Sequence, residues 1–134
     1  MKCQQGILID PVPAVARHVF FTLADTADLP RALSALGELV DGEATVAGFG
    51  VSVVQALDKQ LELLHAFPAL SNQGIDVPST QQALWLWLRG DDRGELLHRT
   101  TELKKALAPA FKAVQVTEAF RYLDGHDLSG YEDG

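Results

Sequence analysis

The last nine residues, His126-Asp127-Leu128-Ser129-Gly130-Tyr131-Glu132-Asp133-Gly134, place three carboxylates and two glycines in one short stretch. Carboxylates this dense can relay protons, and glycine admits backbone angles that bring a neighbouring carboxylate close to a ligand. Composition alone makes the stretch a solvated acidic loop, because many surface turns share it. The four histidines, His18, His65, His98 and His126, are scattered, with no His-x-x-x-His spacing on any helix. Lone histidines are mostly structural or surface residues, and no metal site is expected from them. No Ser-His-Asp arrangement follows from spacing, and no glycine-rich phosphate loop follows a strand. Arg89-Gly90-Asp91 reads as a turn before a helix cap at Asp92, not as an adhesion signal. Asp91 and Asp92 lack the further oxygens a metal would need. Trp85 and Trp87, two apart on a strand, read as core.

These groups must be held by a domain of ordinary globular make-up. The chain has 134 residues, 47% hydrophobic and 22% charged, which suits one domain with a genuine core. Its net charge is −7. Nucleic acid and anionic membranes reward clustered Lys and Arg, and no basic run is present, so neither is expected as a partner. Cys3 is the only cysteine, which excludes an internal disulfide and a multi-thiolate metal site. With no signal-like start and no apolar segment of membrane-spanning length, a soluble, cytoplasmic protein is expected.

Pro11 and Pro13 make residues 4–13 an extended lead-in. Residues 17–23 form the first strand, with Val19, Phe21 and Leu23 on one face and His18, Phe20 and Thr22 on the other. Asp28 is positioned to cap a helix carrying Leu29, Leu33, Leu36 and Val40. Residues 43–49 read as a second strand. Val53, Leu57, Leu61 and Leu64 suggest a helix capped by Ser52, broken soon after by Pro68 and Gly74. Residues 83–88 are apolar on both faces, as in a central strand covered on both sides. Asp92 and Glu95 resemble a capping box opening a helix with Leu96, Thr100, Leu103 and Leu107 on one stripe, stopped by Pro109. Residues 111–122 supply a fourth strand with a break near Thr117, and 123–134 is a loop. Setting aside the inserted segment, the order is the ferredoxin-like βαββαβ pattern: an α+β sandwich with an antiparallel sheet and helices on one face. The two-sided apolar strand suggests that the second sheet face is also covered, by another domain or another copy of the chain.

Gly130-Tyr131-Glu132-Asp133-Gly134 matches the Gly-x-x-Asp-Gly signature of the dye-decolourising (DyP-type) haem peroxidases, which the whole chain resembles. Gln5-Gly6-Ile7-Leu8, Val46-Ala47-Gly48-Phe49-Gly50 and His65-Ala66-Phe67-Pro68-Ala69-Leu70 are similar to segments of bacterial members. So are Val77-Pro78-Ser79-Thr80, the run from Leu86 to Gly94 and Leu107-Ala108-Pro109-Ala110-Phe111. The resemblance is to the first, N-terminal half of such an enzyme.

That resemblance implies a ferredoxin-like domain of the dimeric α/β-barrel type, spanning residues 1–134. It implies haem as cofactor, peroxide-driven oxidation as activity and Asp133 as the distal acid/base, with Gly130, Tyr131, Glu132, Asp133 and Gly134 as cofactor-binding residues. In the family, the proximal histidine and distal arginine lie in a second half, and none of the four histidines here matches that ligand. His126 stands where relatives have arginine. The expectation is therefore a truncated chain, inactive alone, that pairs as a homodimer or with a separately encoded second half. The alternative is a non-catalytic dimeric binding domain or remnant without haem.

Overall fold

The computed structural model describes residue 7 and residues 10–132. Its elements are β1 (Val15–Leu23), α1 (Leu29–Leu39), β2 (Thr45–Phe49), α2 (Val51–Ala56), β3 (Leu70–Asn72), β4 (Ile75–Val77), β5 (Leu84–Gly90), α3 (Arg93–Leu107) and β6 (Phe111–Phe120). Four strands form one sheet in the order β2-β5-β1-β6, every neighbouring pair antiparallel. β3 and β4 make a separate hairpin. With that hairpin set aside, this is the ferredoxin-like arrangement that the residue pattern predicts.

Alternation along the central strands decides which face carries the helices. Val19 and Phe21 of β1 and Leu84, Leu86 and Leu88 of β5 are buried, and they share one core with Leu29, Ala32 and Leu36 of α1 and Leu96, Leu103 and Leu107 of α3. Val53 brings α2 to the same core. Removing each such side chain from water contributes about 1.5–3 kcal/mol, so this layer supplies the main drive for folding. Thr100 is buried among them, and its hydroxyl donates to the Leu96 carbonyl at 2.6 Å.

Capping follows the sequence at α3. The Asp92 carboxylate accepts the Glu95 N–H at 2.7 Å, while Glu95 pairs with Arg99 instead of closing the box. Asp92→Ala is expected to cost about 1 kcal/mol, read as a lower urea midpoint at unchanged slope. Asp28 does not cap α1 with its side chain. Arg31, whose Nε lies 2.8 Å from Asp28 Oδ1, claims that carboxylate.

Three expectations need correction. The helix expected through Leu64 ends at Ala56, and Gly50, not Ser52, is its cap residue. Leu61 is exposed, so beyond Ala56 no buried stripe sustains the turns against their entropy. Residues 70–77, read as a break, form the β3–β4 hairpin, with Gln73 and Gly74 at positive φ in its turn. The irregularity in β6 lies not at Thr117 but opposite Phe20 and Phe21, where Val114 is the extra residue between Ala113 and Gln115.

Candidate functional site

β6 ends at Phe120, and the chain then closes a self-bonded loop. The Tyr122 carbonyl accepts the Gly125 and His126 N–H groups, each at 3.1 Å. His126 and Glu132 then face each other as an antiparallel bridge. Inside it, the Asp127 N–H donates to the Tyr131 carbonyl at 2.9 Å, and the Gly130 N–H to the Asp127 carbonyl at 3.0 Å. Gly130 sits at φ +91°, a left-handed geometry that side chains resist. The Asp127 carboxylate accepts the Ser129 N–H at 2.7 Å and also the Ser129 hydroxyl. The Ser129 hydroxyl, then its N–H, hold the Asp127 carboxyl below the ordinary carboxylate range.

Of the five expected cofactor-binding residues, Gly130, Tyr131 and Glu132 are brought together in this loop. Asp133 and Gly134 lie outside the described residues. The Tyr131 side chain is 77% exposed, so the loop presents an aromatic to solvent. His18 lies on the sheet, while His65 and His98 are exposed. Among the described residues no group of three His, Cys, Asp or Glu side chains could hold a metal ion.

The sheet face away from the helices carries an aromatic cluster. Trp85 and Trp87 belong not to the helix-side core but to this opposite face, where both are half-buried. His18 lies opposite Trp87 in the β1–β5 register and stacks with both rings, its centroid 5.8 Å from each. Trp85 Nε1–H donates to His18 Nδ1 at 3.1 Å, which requires that nitrogen to be bare. Burial lowers the His18 pKa, in keeping with a neutral ring. The Arg89 guanidinium lies 4.9 Å from the Trp87 ring centre. The legible signal was parity: His18 and Phe20 fall on one side of β1, as Trp85 and Trp87 do on β5.

Hollows do not converge on the loop. One of about 580 Å³ lies between α2 and residues 58–64, lined by Val51, Val54, Gln55 and Leu64 among others. A smaller one of about 140 Å³ lies on the aromatic face, between the lead-in at Val12 and Pro13 and residues His18, Trp87 and Phe120. A haem group needs an axial ligand and a drug-sized apolar cavity. His18 Nδ1 is engaged by Trp85, and neither of these two hollows is lined by Tyr131 or Glu132.

Comparison with solved structures gives the arrangement a context. The structure matches a DyP-type peroxidase protein from Shewanella oneidensis over 98% of this chain, at TM-score 0.84 and 19% identity. It matches DyPB from Rhodococcus jostii over 97% of the chain, at TM-score 0.77 and 22% identity. A variant of that protein, solved in complex with heme, matches over 95%, at TM-score 0.76 and 22% identity. The fold is that of about half a DyP-type peroxidase. This chain spans about half the length of these structures, 47%, 46% and 46% respectively. No protein-family model and no curated protein matches the sequence. Among the described residues no helix is long and apolar enough to cross a membrane.

Proposed function

We propose that this chain is the first half of a DyP-type haem peroxidase, with Asp133 as proton acceptor for hydrogen peroxide, inactive until a second α+β half joins it. The observation that supports this most is the near-complete fit of the chain onto about half of peroxidases of that type, one of them a heme complex. The Gly130 to Gly134 segment carries the family's signature at the end of that match. Cleaving peroxide needs a base for its proton and charge to stabilise the departing oxygen. Asp133 supplies the base. The stabilising cation and the axial ligand come from the second half, as the family resemblance implies. We place the protein in the cytoplasm, in accord with its single cysteine.

The surface for the second half is the aromatic sheet face around His18, Phe20, Trp85 and Trp87. In its absence a second copy covers that face, since exposed apolar patches favour association. Light scattering at tens of micromolar, a range set by ordinary dimer affinities, is expected to give a dimer, and Trp87→Glu a monomer. A clean monomer for the unaltered chain would count against this pairing.

The test of the main reading is co-expression with the coding sequence that follows this one on its chromosome. A sharp Soret band, absent from the chain alone, is expected. Asp133→Asn should keep that band and lower peroxide-dependent dye oxidation by about 10²–10⁴-fold. No band in either preparation overturns the reading. It would favour the second one, a dimeric binding domain without haem, which draws on the half-buried aromatic sheet face.

A further inference from the structure

We infer that Asp127 is the positioning residue of the loop, fixing the backbone that leads into Asp133. The inference rests on the reading of Asp133 as proton acceptor, and it concerns a residue whose side chain would touch neither peroxide nor haem.

Burial does not hold this loop. Leu128 and Tyr131 are each 77% exposed, and Leu123 is exposed as well. The chain there also adopts a costly backbone angle at Leu123, φ +49°. Something polar must keep the conformation in place. Asp127 is the residue through which four of the loop's bonds pass. Its N–H and carbonyl bind the Tyr131 carbonyl and the Gly130 N–H, at 2.9 and 3.0 Å. Its carboxylate takes both the N–H and the hydroxyl of Ser129. The two backbone bonds draw residues 130 and 131 back against residue 127, and the carboxylate stops the intervening turn from opening. Glu132, bridged to His126, is the next residue after this knot, and Asp133 follows it directly. A proton acceptor works only when its oxygen stays within hydrogen-bond reach of its target, so the geometry Asp127 imposes is a condition for the chemistry.

Asp127→Ala removes the acceptor while leaving both backbone bonds available. Asp127→Asn keeps an oxygen able to accept from Ser129. Amide NMR on the whole chain, without haem or peroxide, separates the cases. In the unaltered chain the Glu132 amide is expected to show a restrained order parameter. In Asp127→Ala that value should fall below about 0.6, as for a flexible segment, and Ser129 and Gly130 amide exchange should rise at least about tenfold. Asp127→Asn should restore most of both. Leu128→Ala, a change at an exposed side chain, should alter neither. Sheet and α3 signals should stay in place throughout, which shows that the fold is intact. A Glu132 amide as mobile in the unaltered chain as in Asp127→Ala overturns the inference, and so does failure of Asp127→Asn to rescue. Neither result bears on the Soret test, so the two readings fail separately.

Discussion

Gly50→Ala is expected to destabilise the fold by about 2–4 kcal/mol, although it adds a single methyl group. A Cβ built on Gly50 would lie 1.9 Å from the Gln82 carbonyl oxygen, and real Cβ atoms essentially never come within 3.0 Å of another atom. The obstacle is backbone, so no side-chain rotation relieves it. The backbone is also tied there: the Gly50 N–H donates to the Ala83 carbonyl at 2.8 Å, and the Ala83 N–H to the Phe21 carbonyl at 2.9 Å. Moving Gln82 away therefore disturbs the junction between β2, β5 and β1. Gly50 has φ −83°, an angle any residue adopts, so strain at the glycine itself plays no part. Gly37 provides the opposite case. It lies within α1 with nothing within 4 Å of a Cβ, and Gly37→Ala should stabilise by about 0.5–1 kcal/mol through helix propensity. Urea denaturation at constant slope measures both, and the two shifts should differ in sign. Equal midpoints for Gly50→Ala and the unaltered chain would show that Gln82 can give way freely.

The contrast between these glycines marks what a sequence makes legible. Periodicity exposed the elements that bury a stripe: α1 and α3 and the alternating strands β1 and β5 fall where their leucines and aromatics place them. It misled between residues 57 and 64, where Leu57 still packs against the core but Leu61 is exposed, so the helical spacing of Leu57, Leu61 and Leu64 has no continuous surface to meet. Spacing reports what a helix could bury, not whether a surface exists to receive it. The β3–β4 hairpin escaped notice for a related reason. Its strands are three residues each and exposed on every residue, too short for alternation to register.

The candidate site was legible in a different way. No period marks residues 123–134, and chemistry there was visible only through the resemblance of Gly130 to Gly134. The knot at Asp127 is a matter of hydrogen-bond geometry, which residue types permit but do not specify. The aromatic face lay between these extremes. Parity put His18 and Phe20 on one side of β1, but only the β1–β5 register sets His18 against Trp87 and directs the Trp85 N–H to its ring.

Arg89 carries the second large effect. At 7% exposed it is the one nearly buried cation among the described residues, standing where the sequence spells a turn. β5 instead continues through Gly90. The guanidinium donates through Nη1 to the Glu43 carbonyl at 3.2 Å and through Nη2 to the Pro11 carbonyl at 3.1 Å, beside the Trp87 ring. Asp10, the nearest counter-charge, is 3.9 Å from Nη1. Arg121 adds a second hold on the same segment, through the Val12 carbonyl at 3.1 Å. Together the two arginines bind the proline-rich lead-in across the sheet, where Val12 and Pro13 shelter His18 and Trp87. Arg89→Ala leaves two carbonyls without their donor and removes the packing over Trp87. A loss of about 2–4 kcal/mol is expected, since hydrogen bonds to a charged group contribute about 1.5–3 kcal/mol each and water reaching the part-buried carbonyls recovers part. Arg89→Lys should recover little, because an ammonium cannot span both carbonyls as the planar fork does. Denaturation gives the size of the loss. Amide exchange at Arg121, whose N–H donates to the Ala14 carbonyl at 2.9 Å, tests its origin, and should quicken in both variants well below the unfolding midpoint. Retained protection at that amide, alongside the same loss of stability, would place the contribution of Arg89 in the sheet and not in the clamp.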